Sequence, residues 1–204
     1  MVENLFWLGH ASFRIVGQKV IYIDPWQIKK GSQSADIILI THDHYDHCSL
    51  EDVKKIQAKD TVIVTIEECK NKLRGEIIVA KINEKFTVQG VEIETIPAYN
   101  LNKPFHPKTK GYLGFLVKLN NKFYYHAGDT DAIPEMEKIK CDIALLPVSG
   151  TYVMTAEEAA KAAEKISPKI AIPMHYGSII GSNKDAELFK ELCRCPVEIL
   201  EIAR

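Results

Sequence analysis

The sequence contains no apolar run that approaches the roughly 20 residues needed to cross a bilayer as a helix. Its first residues carry no basic segment and lead into no long apolar stretch, so we predict no signal peptide. The formal net charge is −1, from 26 basic and 27 acidic residues. This balance gives no electrostatic reason to expect nucleic acid or an anionic membrane as a partner. We therefore expect a small-molecule substrate.

The chain also lacks a disulfide framework. Its five cysteines are an odd number and are scattered at positions 48, 69, 141, 193 and 195. Such a pattern predicts reduced thiols and a cytoplasmic location. No boundary rich in glycine, proline or serine divides the sequence, so we expect residues 1–204 to form a single domain. That length is sufficient for a hydrophobic core.

What the sequence does contain is a dense cluster of histidine and aspartate at residues 41–47, Thr-His-Asp-His-Tyr-Asp-His. The apolar run at 36–40 precedes it and predicts a buried strand. Ser49 follows it as the expected N-cap of a helix over residues 50–56. Histidine offers a neutral nitrogen near pH 7 and aspartate an anionic oxygen, and both bind metals. Because ligand groups in α/β proteins lie at strand ends, the cluster predicts a metal site.

The segment 42–47, with the pattern His-x-His-x-Asp-His, resembles the signature of the metallo-β-lactamase superfamily. Segments 128–130 (Gly-Asp-Thr) and 174–177 (Met-His-Tyr-Gly) resemble two further motifs of that superfamily, in the expected order. Segments 9–13 and 23–25 resemble the branch that includes ascorbate-6-phosphate lactonase and the phospholipase D acting on N-acyl phosphatidylethanolamine. The resemblance covers essentially the whole chain and implies an αββα sandwich with metal ligands along one edge.

Hydrophobic patterning predicts a compatible architecture. The predicted strands are 6–8, 13–16, 19–23, 36–40, 61–65, 77–82, 85–88, 91–96, 113–119, 123–126, 143–146, 170–174 and 197–202. The predicted helices are 50–56, 67–73, 155–166 and 185–192. Two mixed sheets packed face to face, with helices on both outer faces, satisfy this pattern. The expected fold class is therefore α/β (α+β), a four-layer αββα sandwich.

The resemblance also implies ligands for two divalent metal ions. They are His42 and His44 for the first ion, Asp46, His47 and His175 for the second, and Asp129 as a bridge between the two. Zinc is the expected metal, with manganese or iron as alternatives. A water between the ions would lose a proton near neutral pH and become the nucleophile, which Asp46 would orient.

One ligand of the first ion departs from the family pattern. The family commonly supplies a third histidine after a strand that ends in Pro-Ala. Here Pro-Ala at 97–98 is followed by Tyr99 and Asn100, and the nearest histidine is His106. Two interpretations stay open. Either His106 is this ligand by a displaced route, or it is a loop histidine that faces substrate or solvent.

Three further polar residues have two interpretations each. His10 either lies beside the metals, as a donor to a ligand or to substrate, or is a hydrogen-bonded core histidine. We count His10 and Asp46 as the catalytic candidates. Asp24 either orients a ligand histidine or caps a turn, and His126 either packs or supports the metal site.

The loop at 100–110 is long enough to act as a lid. It contains three lysines, Lys103, Lys108 and Lys110. We hypothesise that it admits an anionic substrate, with His106 and Lys108 as contacts, although a solvated basic loop is an equal alternative. Tyr152 and Tyr176 are further candidates for lining the pocket, and we include Tyr176 among the substrate-binding predictions.

These observations predict a metal-dependent hydrolase that uses a metal-bound hydroxide at a dinuclear site to cleave an ester, lactone or phosphodiester. The first alternative is a di-iron redox protein with the same ligands, although the chain has no flavin domain to deliver electrons. The second alternative is a non-catalytic metal-binding protein, which the missing third histidine favours.

Overall fold

The computed structural model describes residues 2–203 and places twelve β-strands in two six-stranded sheets. The first sheet contains, in spatial as in chain order, β1 (Leu5–Gly9), β2 (Ser12–Val16), β3 (Val20–Ile23), β4 (Ala35–Leu39), β5 (Gln57–Thr65) and β6 (Glu76–Val79). Strands β1 to β3 pair antiparallel, and β3 to β6 pair parallel. Every residue of β3 is buried, and so are four of the five in β4, as expected for central strands covered on both faces.

The second sheet repeats this plan with the later part of the chain. It contains β7 (Lys85–Val88), β8 (Val91–Pro97), β9 (Leu113–Leu119), β10 (Lys122–His126), β11 (Ile143–Pro147) and β12 (Ile170–Met174), in the spatial order β12-β11-β10-β9-β8-β7. Strands β7 to β10 are antiparallel, and β10 to β12 are parallel. In both sheets, antiparallel strands therefore lead into parallel strands.

Within residues 2–203, four α-helices complete the fold, namely α1 (Leu50–Ile56), α2 (Glu67–Lys70), α3 (Ala156–Ile166) and α4 (Asn183–Leu192). Helix α3 begins with a reciprocal capping box between Thr155 and Glu158. A buried stripe of alanines lets α3 pack closely on β11, and α4 packs on α3 and β12. Helix α2 contacts β6 of the first sheet. The predicted four-layer αββα sandwich with two mixed sheets is confirmed.

The apolar core runs through both sheets, and large side chains such as Tyr22, Phe115 and Tyr124 are almost fully buried in it. Between residues 2 and 203, no helix is both long and apolar enough to span a membrane.

Four predicted elements differ from the structure by more than two residues. The strand predicted at 197–202 forms only isolated bridges, from Val197 to Ala171 of β12 and from Ile202 to Trp7 of β1. This segment crosses from the edge of one sheet to the edge of the other, so its alternating pattern does not produce a ladder in either.

The other three differences concern ends of elements. The strand predicted at 61–65 begins four residues earlier, at Gln57. The helix predicted at 67–73 ends at Lys70, because the next amides bond to carbonyls three residues back and form turns. The strand predicted at 77–82 ends at Val79, because the Lys81 amide bonds to the Glu84 side chain and starts a turn.

Candidate metal centre

The predicted ligands lie in four connections at one edge of the two sheets. The loop between β4 and α1 carries His42, His44, Asp46 and His47, the β8–β9 loop carries His106, the segment after β10 carries Asp129, and the segment after β12 carries His175. Parallel strands end at the same edge of a sheet, so β10 and β12 bring Asp129 and His175 together. The structure thus collects residues from 42 to 175 in one cluster.

The loop after β4 is shaped by the buried carboxylate of Asp24, which follows β3. Its Oδ1 accepts a hydrogen bond from the Thr41 amide at 2.8 Å, and its Oδ2 accepts one from the Thr41 hydroxyl at 2.7 Å. The same Oδ2 lies 2.7 Å from Nδ1 of His47. Burial alone would lower the pKa of His47, but the carboxylates of Asp129 and Asp24 raise it well above its ordinary value. Of the two interpretations of Asp24, its contact with His47 favours the orienting role.

The cluster divides into overlapping groups in which all candidate ligand atoms lie within 4.8 Å of one another. One group is His42, His44 and His106; a second is His10, Asp46, His47 and His175; a third, His42, His47 and Asp129, links the first two. The division follows the ligand sets that the resemblance implies, with His106 as the third histidine of the first group. The ligand role of each residue remains a prediction.

Asp129 lies between the groups. Its Oδ2 is 3.0 Å from Nε2 of His175 and 3.3 Å from Nε2 of His106, and its Oδ1 is 3.5 Å from Nε2 of His47. Burial opposes ionisation, yet His175 and His47 hold the pKa of Asp129 well below its ordinary value. Gly128 allows this position, because it has φ +65° and an added Cβ would lie 2.6 Å from the Leu113 carbonyl oxygen.

Unsatisfied buried atoms test whether the cluster fits metal ions. Among residues 2–203, six buried side-chain polar atoms have no hydrogen-bond partner, and four of these belong to the cluster. They are His10 Nδ1, His47 Nε2, His106 Nε2 and Asp129 Oδ1. An unpaired buried polar group is costly, and native proteins retain very few. Imidazole nitrogen and carboxylate oxygen are ligands for zinc, manganese or iron, so the donor set fits divalent cations.

Two of the proposed ligand histidines have one ring nitrogen within hydrogen-bond distance of a protein hydroxyl. Nδ1 of His42 is 2.8 Å from the Thr41 hydroxyl, and Nδ1 of His175 is 3.0 Å from the Ser149 hydroxyl. A hydrogen bond to one ring nitrogen fixes the tautomer and aims the other nitrogen at a ligand. Burial lowers the pKa of His42 well below its ordinary value, which favours the neutral ring that binds metal. No sequence signal pointed to Ser149, because it lies 26 residues from the histidine it contacts.

The route by which His106 enters the cluster is explained by Asn100. The Asn100 amide donates to the His106 carbonyl at 2.7 Å, and the His106 amide donates to Oδ1 of Asn100 at 2.9 Å. Nδ1 of His106 lies 3.2 Å from the same Oδ1. After β8 the chain therefore closes a short loop between Asn100 and His106, which brings a histidine from a later position into the cluster. Burial lowers the pKa of His106.

His10 and His126 differ in their surroundings. Nε2 of His10 is 3.0 Å from Oδ2 of Asp46, and its ring lies over that of His175 with centroids 3.9 Å apart. His10 is also fully buried, and burial lowers its pKa. His126 instead bonds the Ala11 carbonyl at 2.8 Å through Nε2 and accepts the Gly128 amide at Nδ1. His126 therefore has a packing role that supports the Asp129 segment.

Two residues predicted to contact substrate lie elsewhere. The ring of Tyr176 is buried and stacks on Trp7 with centroids 4.9 Å apart, because the chain turns at His175, which has φ +61°. The ammonium of Lys108 bonds the Tyr99 hydroxyl at 3.1 Å and lies 3.2 Å from Glu135. Neither residue lines the cavity above the cluster, so we withdraw both as substrate contacts.

A cavity of about 440 Å³ opens above the cluster. His44, Asp46, His106, Asp129 and His175 contribute to its lining, together with Asp43. The remaining lining residues are Tyr45, Phe105, Tyr152 and Ile179. Of these four, only Tyr152 is a candidate from the sequence, since nothing in the sequence indicates that Tyr45, Phe105 or Ile179 faces a site.

Comparison with known proteins identifies similar chains across the whole length. Residues 4–175 match the β-lactamase superfamily domain. A UPF0173 metal-dependent hydrolase of Thermococcus onnurineus is 35% identical over 215 residues, covering 98% of this chain and 96% of the relative.

Two solved structures extend this similarity. A structure described as a metal-dependent hydrolase from Parabacteroides distasonis is 33% identical with a TM-score of 0.87, covering 98% of this chain and 93% of that one. Igni18, a metallo hydrolase from Ignicoccus hospitalis, is 27% identical with a TM-score of 0.78, covering 98% of this chain and 95% of that one. The domain match includes every residue of the cluster, from His10 to His175.

Proposed function

Because the chain belongs to the metallo-β-lactamase superfamily and is a metal-dependent hydrolase of the UPF0173 type, we propose that its cluster binds two divalent metal ions and cleaves a small ester, lactone or phosphodiester. One observation carries this proposal. The unpaired buried atoms of His47, His106 and Asp129 belong to three overlapping ligand groups. One cation cannot serve all three groups, whereas two cations that share Asp129 can.

The proposed ligands follow from these groups. His42, His44 and His106 hold the first ion, Asp46, His47 and His175 hold the second, and Asp129 contacts both. Zinc is the proposed metal because imidazole predominates, and manganese or iron are the alternatives. When bound, such ions polarise the bond to be cleaved and lower the pKa of water.

The chain's own residues orient the reaction. Burial opposes ionisation of Asp46, but the hydrogen bond with His10 lowers the pKa of this carboxyl below its ordinary value. Oδ2 of Asp46, which lies 3.0 Å from Nε2 of His10 and lines the cavity, is therefore ionised and can accept a proton from the attacking water. His10 holds this oxygen in place, and its own pKa is lowered by burial. We accordingly assign Asp46 as the proton acceptor and His10 as the residue that positions it.

The names of the relatives favour hydrolysis over the redox and the non-catalytic alternatives. We also propose that the chain forms one domain. We propose that it acts in the cytoplasm, because all five cysteines are free thiols, as is typical of reducing compartments. The branch of the superfamily that includes ascorbate-6-phosphate lactonase remains a prediction.

Elemental mass spectrometry and a hydrolysis screen on the same sample test the proposal. We expect about two zinc or manganese ions per chain, loss of ester or phosphodiester hydrolysis after chelation, and recovery when metal is restored. The exposed-site variant Asp60→Asn provides a control for handling. Hydrolysis that persists in fully chelated protein would contradict the proposal, and two irons with an oxygen-sensitive visible band would favour the redox alternative.

A further inference from the structure

The cavity above the metal centre has two kinds of lining. Its base consists of the proposed metal ligands, whereas the part beyond them presents two tyrosines, a phenylalanine and an isoleucine. Three of these side chains are strongly exposed, with Tyr45 at 67%, Phe105 at 42% and Ile179 at 39% of full accessibility. A cluster of exposed apolar groups beside a reactive site commonly marks a ligand-binding surface.

Positive charge is missing from this lining. No lysine or arginine among residues 2–203 contributes to the cavity, and the charged residues that do are Asp43, Asp46 and Asp129. Asp43 accepts a hydrogen bond from the Tyr112 hydroxyl at 2.9 Å and lies 3.6 Å from the ammonium of Lys72. Apart from bound metal ions, the lining therefore offers no lysine or arginine side chain to pair with an anionic substituent.

The lysines of the 100–110 loop do not line the cavity, and two of the three are paired with carboxylates elsewhere. The ammonium of Lys103 lies 2.6 Å from Asp131 and 3.5 Å from Glu158, and that of Lys108 lies 3.2 Å from Glu135. Both ammonium groups are thus paired with carboxylates outside the cavity. The walls of the cavity therefore lack the lysine side chains from which the sequence suggested an anionic substrate.

The aromatic walls have a defined shape. Phe105 and Tyr152 meet edge to face, with ring centroids 4.7 Å apart and planes at 88°. Phe105 is adjacent to the proposed ligand His106, so this pair lies directly beside the metal centre. Aromatic edges and an isoleucine side chain favour an apolar group over a charged one.

We propose that the substrate is an uncharged ester or lactone that carries an apolar acyl or aryl group beside the bond cleaved, and that Phe105, Tyr152, Tyr45 and Ile179 bind this group. This inference rests on the proposed function, because the metal centre positions the reactive bond. The volume of about 440 Å³ is within the usual range for small-molecule pockets.

Alkyl hydroxamates test the inference, because the hydroxamate group chelates divalent metals while the chain length varies. Calorimetric titration of metal-loaded protein compares acetohydroxamate, butanohydroxamate, hexanohydroxamate and octanohydroxamate. Burial of each added methylene should tighten binding by up to about fourfold, until the cavity is filled. A hydroxamate with a terminal carboxylate should bind more weakly than its uncharged equivalent of the same length.

Variants of the cavity lining test which residues bind the alkyl chain of the hydroxamate. Ile179→Ser and Phe105→Ser should reduce the ratio of the acetohydroxamate to the octanohydroxamate dissociation constant by about tenfold. The matched controls Ile82→Ser and Phe123→Ser, at similarly exposed apolar sites of 38% and 37%, should leave this ratio unchanged. Because the readout is a ratio, a general weakening of the metal centre does not affect it.

The outcomes separate the two proposals. If acetohydroxamate binds but longer chains bind no tighter, or if the terminal carboxylate improves binding, the apolar-substrate inference is wrong while the metal centre stands. If acetohydroxamate does not bind at all, the proposed metal centre is wrong and the inference fails with it.

Discussion

The two halves of the molecule share one plan but contribute to the site differently. Residues 5–79 and 85–174 each form antiparallel strands followed by parallel strands. The first half presents four candidate ligands within six consecutive positions after β4. The second half presents three, one in each of three connections up to 69 residues apart, from 106 to 175. A local sequence motif thus forms one side of the site, and the fold alone assembles the other.

The largest effect is expected at Asp129. This second-half residue lies beside His106 of the first ion's proposed ligands and beside His175 of the second ion's. We expect Asp129→Asn to reduce the metal content from about two ions to less than one and to lower kcat/KM by about 10³-fold or more. Elemental analysis and steady-state kinetics measure both effects. Thermal unfolding of the metal-free forms checks that the variant folds, with Asp60→Asn as the control. Retention of two ions would remove Asp129 from the centre.

His44 and His106 compare one ligand from each half within a single group. We expect His44→Ala and His106→Ala each to lose about one metal ion per chain, because each removes one of the three nitrogen donors of the first ion. Each variant is the control for the other in elemental analysis of gently purified protein. If His106→Ala retains both ions while His44→Ala does not, the first half alone holds the first ion.

The hydrogen-bond partners of the ligand histidines also differ between the halves. The Asp24 carboxylate contacts Nδ1 of His47, whereas the Ser149 hydroxyl contacts Nδ1 of His175. Asp24→Asn should weaken metal affinity about 10- to 100-fold, because it removes a buried charge that orients His47. We expect Ser149→Ala to cost less than about tenfold, because the lost partner is neutral. Competition with a chromogenic chelator gives both affinities. Equal losses would contradict the proposed difference.

The smallest expected effect is on the free energy of unfolding, and it concerns the first α-helix of each half. Asp52, in α1, accepts amide hydrogen bonds from Gln27 and Ile28, whereas Glu158, in α3, accepts the Thr155 amide. We expect Asp52→Asn to lower the free energy of unfolding by about 2 kcal/mol at pH 7, and Glu158→Gln by about 0.5 kcal/mol. Urea unfolding measures both changes.

The Asp52 effect should also depend on pH. Burial opposes ionisation, but hydrogen bonds from Lys55 and Ser49 lower the pKa of Asp52 below its ordinary value. A carboxyl with a lowered pKa stabilises the fold above its unfolded pKa, near 3.9, and this contribution is lost as the pH falls through the folded pKa. The difference between wild type and Asp52→Asn should therefore be complete at pH 7 and shrink below about pH 4. A difference that is constant with pH would show that charge is not its source.

The sequence allowed most of the fold to be predicted, because period-two runs and capping residues are local signals. The cluster at 42–47 was equally accessible, since its residues are adjacent. His106 could not be assigned, because its position depends on hydrogen bonds to Asn100 that close a loop. Tyr176 was misplaced because the left-handed backbone at His175 directs the following ring towards Trp7.

The apolar wall of the cavity was also inaccessible from the sequence. Tyr45, Phe105 and Ile179 come from three connections that meet only in the folded chain. The sequence shows that these residues are apolar. It does not show whether an exposed apolar residue lines a site. The lysines of the loop illustrate the reverse case, since their number suggested a charge that the carboxylate partners of Lys103 and Lys108 cancel.

The paired hydrogen bonds between Asn100 and His106 have a consequence for the adaptability of the enzyme. They fasten residues 100 and 106 to each other, and residues 101, 102, 104 and 105 between them are exposed. Substitutions or small insertions at 101–105 can therefore reshape one wall of the pocket while His106 keeps its position. Directed evolution confined to these five positions is expected to shift substrate preference at little cost in metal loading.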